Sequence, residues 1–156
     1  MLHRYVSSRD LQKRMAYLFL LISHSQLRVS GEERALDVLK YLQEKGIKIA
    51  LGSSSRNARK IIKKLEIEGE FDVVVDGASI KKGKPDSEVF IEAARRLKVP
   101  NNEGIVVEDS IAGIIAARRG GFMTAFISSL PMPGDVMIYA KSLSALKDEI
   151  EKRMNT

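Results

Sequence analysis

Cysteine is absent from the 156 residues, which excludes disulfides, thiolate metal sites and a cysteine nucleophile, and fits a reducing cytoplasm. Aromatic residues are scarce, at 6%, and no Phe/Tyr cluster offers a platform on which bases could stack. Long apolar runs are missing too. The longest, Ala16 to Ile22, falls far short of the roughly 20 residues that a bilayer-spanning helix needs, so no membrane association is expected. Basic residues precede that run, but Ser23 to Arg28 offers no small-x-small cleavage site for a signal peptide.

What remains is an ordinary globular composition, 44% hydrophobic and 29% charged, at a one-domain length that can bury a proper core. The net charge is +6. Its basic residues are scattered: Lys60, Lys63 and Lys64, then Lys81, Lys82 and Lys84, then Arg118 and Arg119. Several fall at helical spacing beside apolar positions, as on a solvated face, so the excess charge predicts attraction to phosphate but no nucleic-acid partner.

Hydrophobic periodicity divides the chain into alternating strands and helices. Leu11, Met15, Leu18 and Ile22 recur at helical intervals, so a buried helix over residues 10–22 is the first reading, although the same apolar run could form a buried strand. Glu32 to Lys45 reads as a helix stopped at Gly46, and Ile47 to Leu51 as a strand. A helix carrying Ile61, Ile62 and Leu65 follows, then the β-branched strand Asp72 to Asp76. The pattern continues with a basic loop, a helix opened by Pro85 and closed before Pro100, the strand Gly104 to Val107 and a small-residue helix to Arg119. A strand from Met123 to Ile127, a surface loop at Pro131 to Gly134 and a helix from Leu143 to Met154 complete it. Such alternation predicts a Rossmann-like three-layer α/β/α fold with a mostly parallel sheet.

In open sheets of this kind ligands sit beyond the carboxyl ends of the strands, which directs attention to three loops. Gly52 to Ser55 opens a helix after a strand, where backbone N–H groups and hydroxyls can bind a phosphoryl group, or where a serine can simply cap the helix. Lys84 precedes Pro85, a rigid junction able to aim an ammonium at a phosphate, or a solvated lysine in a basic loop. Glu108 and Asp109 follow the strand Gly104 to Val107 as a carboxylate pair suited to Mg2+, while Asp109 or Ser110 would equally serve as an N-cap.

A hydroxyl loop, a Lys-Pro and an acid pair, in that order and at successive strand ends, resemble the haloacid dehalogenase superfamily, and within it the β-phosphoglucomutase-like branch of phosphatases and phosphosugar mutases. Gly46 to Asn57 is similar to its second motif, Lys82 to Phe90 to its third and Val106 to Gly113 to its fourth, covering roughly residues 29–150 in all. The resemblance implies Mg2+-dependent phosphoryl transfer on a small phosphorylated metabolite, a sugar phosphate being the natural candidate. It implies that Ser53 and the backbone at Ser54 hold the phosphate, and that Lys84 bridges phosphate and nucleophile. Glu108 and Asp109 would anchor Mg2+, with Asp109 the direct ligand, and Ser55, Arg56 and Asn57 would face the sugar phosphate.

The family's nucleophile, an aspartate in Asp-x-Asp after the first strand, has no counterpart. The aspartates are Asp10, Asp37, Asp72, Asp76, Asp86, Asp109, Asp135 and Asp148, and none stands in that pattern. In one alignment residues 10–24 are the last helix of a cap, Leu27 to Glu32 leads into the core, and the chain is a truncated product with its cap largely absent. In the other, Tyr17 to Ile22 is the first strand and Ser23, His24 and Ser25 stand where Asp-x-Asp belongs. The first is preferred, because helical spacing begins at Leu11. The expected division is therefore residues 1–28 as a residual helical segment, cap end or replacement strand, and residues 29–156 as the core. In the family's strand order the nucleophile strand lies between those read at residues 47–51 and 104–107, so the resemblance implies that its loss would leave a costly vacant slot in mid-sheet. The expectation is that residues 16–22 fill it, that a second chain does by self-association, or that the protein is poorly stable alone.

Overall fold

The structure, a computed structural model, describes residues 19–22, 32–129, 131 and 134–155. A six-stranded, wholly parallel sheet runs through it: β1 (Phe19–Ile22), β2 (Lys48–Gly52), β3 (Val73–Val75), β4 (Gly104–Glu108), β5 (Met123–Ile127) and β6 (Ile138–Ala140). Their order across the sheet is β3-β2-β1-β4-β5-β6. The helices are α1 (Glu32–Glu44), α2 (Ala58–Lys64), α3 (Glu88–Leu97), α4 (Ile111–Arg119) and α5 (Leu143–Met154). Among the described residues no helix is long and apolar enough to cross a membrane.

Side chains alternate across a strand, and the two apolar clusters follow that period. Ile49, Leu51, Ile105, Val107, Ala125 and Ile127 face one side, where they pack with Val38, Leu39 and Leu42 of α1, Ile62 of α2 and Leu146 and Ile150 of α5. Ala50, Val75 and Val106 face the other side and meet Val89, Phe90 and Ala93 of α3 with Ala116 and Ala117 of α4. Parallel strands buried on both faces in this way read as continuous apolar runs, and β2 and β4 do so. Small residues on α4 let it lie close to the sheet.

The preferred reading of residues 10–22 as one helix is corrected at its end. Phe19 to Ile22 form the strand between β2 and β4, with Leu20 opposite Ile49 on one side and Ile105 on the other. Sheet closure overrides the helical spacing: a strand here gives β2 and β4 backbone partners along their length, and a helix could satisfy neither. Residues 10–18, the Ser23 to Ser25 segment and residues 27–31 lie outside the described residues, as do residues 132 and 133 of the Pro131 to Gly134 loop.

Two further expectations shift. The helix thought to open at Pro85 starts at Glu88, after a turn over residues 84–87 that includes a cis Lys84–Pro85 peptide. Strand β6 had no counterpart in the sequence reading, being three residues long and set just after the proline loop.

The central place of β1 makes a measurable prediction. A Leu21→Pro substitution removes a backbone donor from an interior strand and leaves a buried partner carbonyl unpaired, at a cost of about 1–3 kcal/mol before any steric strain. Urea unfolding followed by far-UV circular dichroism is expected to show a midpoint lowered accordingly. An unchanged midpoint would mean that residues 19–22 do not complete the sheet.

Candidate functional site

The carboxyl ends of β2, β3 and β4 bring the three predicted loops to one edge of the sheet. After β2 the chain turns through Ser53, Ser54 and Ser55 into α2. Ser53 is 1% exposed; its amide donates to the Val75 carbonyl at 2.9 Å and its hydroxyl accepts from the Ser55 amide at 3.1 Å. The Ser55 hydroxyl accepts in turn from the Asn57 amide at 3.1 Å. These are serine turns, in which a side-chain oxygen stands in for a backbone acceptor. The helix cap itself falls at Asn57, whose side chain makes no capping bond, and Arg56 and Asn57 are exposed on the rim.

The loop after β3 carries Lys84 and is fastened to the serine loop. Gly77 donates to the Ser55 carbonyl at 3.1 Å, and the Lys84 amide donates to the Ser54 hydroxyl at 3.3 Å. Gly77 has no room for a side chain, since a Cβ there would stand 2.3 Å from the Ser54 carbonyl oxygen. Further along, both oxygens of Glu88 accept from the amides of Lys81 and Lys82, which fixes the basic loop to the start of α3. Asp76 serves this loop as well. It accepts from the Ala78 amide at 3.0 Å and pairs with Arg59 at 3.2 Å, which fastens the start of the loop to α2.

With its backbone held, the Lys84 side chain reaches under the loop to Glu108 at the end of β4. Its ammonium forms an ion pair with Glu108 Oε1 and lies 5.0 Å from the centre of the Phe90 ring. Glu108 is 1% exposed and the Lys84 side chain 15%, so the pair is largely withdrawn from water. The other oxygen, Oε2, accepts from the Ser110 hydroxyl at 3.0 Å and from the Asp109 amide at 3.3 Å. Every buried side-chain nitrogen and oxygen among the described residues has a partner.

The sequence reading singled out Ser53, Ser54, Lys84, Glu108 and Asp109, and all five stand at this edge, with Ser55, Arg56 and Asn57 beside them. Two contributors were missed. Gly113, in the first turn of α4, clears the space that Glu108 occupies: a Cβ there would lie 2.1 Å from the Glu108 carboxyl carbon. A glycine inside a helix, where it is disfavoured, was the available signal of a close approach. Phe90 was the other, and only its position in the third motif's helix marked it.

Mg2+ is commonly held by one or two carboxylates together with phosphate oxygens and water. The oxygen donors here fit that mode, and among the described residues no group of three His, Cys, Asp or Glu side chains forms a larger cage. The two carboxylates differ. Glu108 is buried and answers the Lys84 ammonium and two hydrogen-bond donors, whereas Asp109 is only partly buried.

Comparison with known proteins locates this arrangement. The family model described as haloacid dehalogenase-like hydrolase matches residues 27–121. The chain is 38% identical over 116 residues to a beta-phosphoglucomutase of Bacillus subtilis (strain 168), covering 71% of this chain and 51% of that protein. It is 33% identical over 117 residues to a phosphorylated carbohydrates phosphatase of Thermotoga maritima, covering 72% of this chain and 54% of the relative. The chain thus spans about half the length of these curated relatives. The crystal structure of beta-phosphoglucomutase from Clostridium difficile superposes with a TM-score of 0.68 at 25% identity, covering 85% of this chain and 61% of that one. An uncharacterized protein from Listeria monocytogenes serotype 4b shares the fold along 89% of this chain and 99% of its own, with a TM-score of 0.66 at 15% identity.

Two substitutions test the site's construction. Lys84→Met strands a buried carboxylate and is expected to cost roughly 3 kcal/mol, the low end for breaking a buried pair because the ammonium keeps some hydration. Adding Glu108→Gln should recover much of that loss in urea unfolding, and simple additivity of the two changes would deny the pair. Gly113→Ala would ordinarily stabilise a helix by about 0.4–1 kcal/mol; against Glu108 it should instead destabilise by about 1–3 kcal/mol. A gain in stability would mean that Glu108 sits elsewhere.

Proposed function

The chain belongs to the haloacid dehalogenase-like hydrolase family, and from that premise we propose that its carboxyl-edge site receives the phosphoryl group of a small phosphomonoester for Mg2+-dependent phosphoryl transfer. The observation that carries this reading is the delivery of Lys84 from the third loop to Glu108, beside the serine loop of β2. A fixed ammonium next to turn amides and hydroxyls is a charge-assisted binding site for a tetrahedral anion. Ser53 and the backbone at Ser54 would bind two of the phosphate oxygens and Lys84 a third. In this reading the Ser53 hydroxyl, whose oxygen accepts from the Ser55 amide, would donate its proton to the anion.

Asp109 would be the direct ligand of Mg2+, and Glu108 would support it from the position where it holds Lys84. The metal, when bound, would supply charge stabilisation to the transferring phosphoryl group. Ser55, Arg56 and Asn57 line the rim on which the rest of the substrate would rest, and the exposed guanidinium of Arg56 suits a second anionic or polyhydroxyl group. A phosphorylated sugar is the substrate class we favour, supported by the relatives named for phosphoglucose and phosphorylated carbohydrates.

The family's aspartate nucleophile has no Asp-x-Asp counterpart in these 156 residues. With no aspartate in that pattern to attack the phosphoryl group, binding without turnover is expected of these 156 residues. A purely phosphate-binding module is the second reading, and it is favoured by that same missing carboxylate.

Calorimetric titration with inorganic phosphate, with and without Mg2+, is expected to show saturable binding that Lys84→Ala weakens by about 10- to 100-fold, the usual value of a charge-assisted contact. Hydrolysis of an aryl phosphate should not rise above that of an Asp109→Asn control. Turnover lost in that control would reveal a nucleophile within the chain, with Asp10 the first to replace. No phosphate binding by the unaltered protein would sink the proposal.

A further inference from the structure

We propose that Ser110 is a positioning residue whose hydroxyl, besides capping α4, orients Glu108 and thereby fixes the Lys84 ammonium. The inference rests on the phosphate-site reading for its functional meaning, but the geometry can be tested separately.

The Ser110 oxygen accepts from the Gly113 amide at 3.0 Å, the usual capping bond. The same hydroxyl lies 3.0 Å from Glu108 Oε2. An amide can only donate and an ionised carboxylate can only accept, so the direction of the hydroxyl proton is determined: it points to Glu108. One oxygen therefore ties the first turn of α4 to the carboxylate, and the carboxylate's other oxygen holds Lys84. Gly113 serves both links, donating its amide to Ser110 while leaving Glu108 the volume that any side chain would take.

Without the Ser110 bond, Oε2 of Glu108 would keep only the longer bond from the Asp109 amide, at 3.3 Å, and the carboxylate could turn about its last torsion, a broad and soft one, and carry the ammonium with it. A lysine has a long, flexible stem, so its aim depends on the partner at its tip. The helix cap thus acts as the stop against which the lysine is set. Ser110 is itself exposed, and it reaches the phosphate site through Glu108 and Lys84.

Capping and orienting can be separated by substitution. Ser110→Asp keeps a capping acceptor of equal quality but has no proton for Glu108; Ser110→Ala loses both functions; Ser110→Thr keeps both. The readouts are thermal unfolding and the 15N-edited NMR signal of the Lys84 ammonium, assigned by its disappearance in Lys84→Met. Ser110→Ala should lower Tm by about 2–4 °C, and Ser110→Asp should leave it near that of the unaltered protein. The Lys84 signal should move in both Ser110→Ala and Ser110→Asp and stay in place in Ser110→Thr. A signal that moves in Ser110→Ala alone would reduce Ser110 to a cap. Movement in Ser110→Asp alone would be charge repulsion, and no movement in either would remove the link altogether. Each of these overturns the proposal, and each is read without phosphate, so a failure of the phosphate-site reading cannot be mistaken for it.

Discussion

Backbone hydrogen bonds along four residues hold the site at its working width. Strand β1 is flanked by β2 and β4, and the loops that follow those two strands carry Ser53 and Glu108. Strands in a sheet stand about 4.7–4.9 Å apart, so the serine loop and the acid are separated by about 10 Å with β1 between them. That gap is of the size that a tetrahedral anion and a hydrated cation together would need. If β2 and β4 paired directly, the same side chains would crowd into one contact. If the slot stood open, buried amides and carbonyls would lie unpaired along both neighbours. The position of β1 is thus a condition of the site as well as of the core.

Lys84 has a further distance to cover, because its loop leaves β3, at the edge of the sheet, and its target is at the end of β4. Three devices carry it there. Gly77 lets the loop press against the Ser54 carbonyl, the Ser54 hydroxyl takes the Lys84 amide, and Glu88 gathers the amides of Lys81 and Lys82. Each engages the backbone of the loop, through a close approach or a side-chain acceptor on a neighbouring segment, and so positions the loop whatever side chains it carries. Only at the end does a side chain of the loop itself act, crossing the Phe90 face to Glu108. Replacing a buried ion pair by apolar residues is often neutral or stabilising, so stability alone is a weak reason for Lys84 and Glu108 to be there. The proposed anion site gives the pair a different reason: an ammonium partly shielded from water could exchange part of its contact with Glu108 for contact with a phosphate.

The strand and helix alternation could be read along the sequence because β2, β4 and β5 are continuous apolar runs and α1, α3 and α5 keep their helical period. The site loops could be read because each follows a strand that was itself legible. Residues 19–22 were legible only as one of two alternatives, since Ala16 to Ile22 is apolar throughout and carries no period of its own, and the spacing from Leu11 pulled the preferred reading towards helix. What decided between the two was tertiary: a gap in the sheet that only a strand could fill. Gly113 and Ser110 were hidden for a different reason. A glycine three residues after a serine looks like an ordinary helix start, and its meaning lies in the Glu108 carboxylate, which approaches from the preceding strand.

The relation between Glu108 and Asp109 follows from the same local geometry. Consecutive residues at the end of a strand point in opposite directions, so an acid pair at that place cannot present both carboxylates alike. Glu108 turns inward and must be neutralised there, which Lys84 and the Ser110 hydroxyl accomplish, while Asp109 is only partly buried. Burial, and not residue type, therefore separates the two acids. An Asp in place of Glu108 would be one methylene shorter on its way from β4 to the ammonium, so the longer acid belongs at the buried position of the pair.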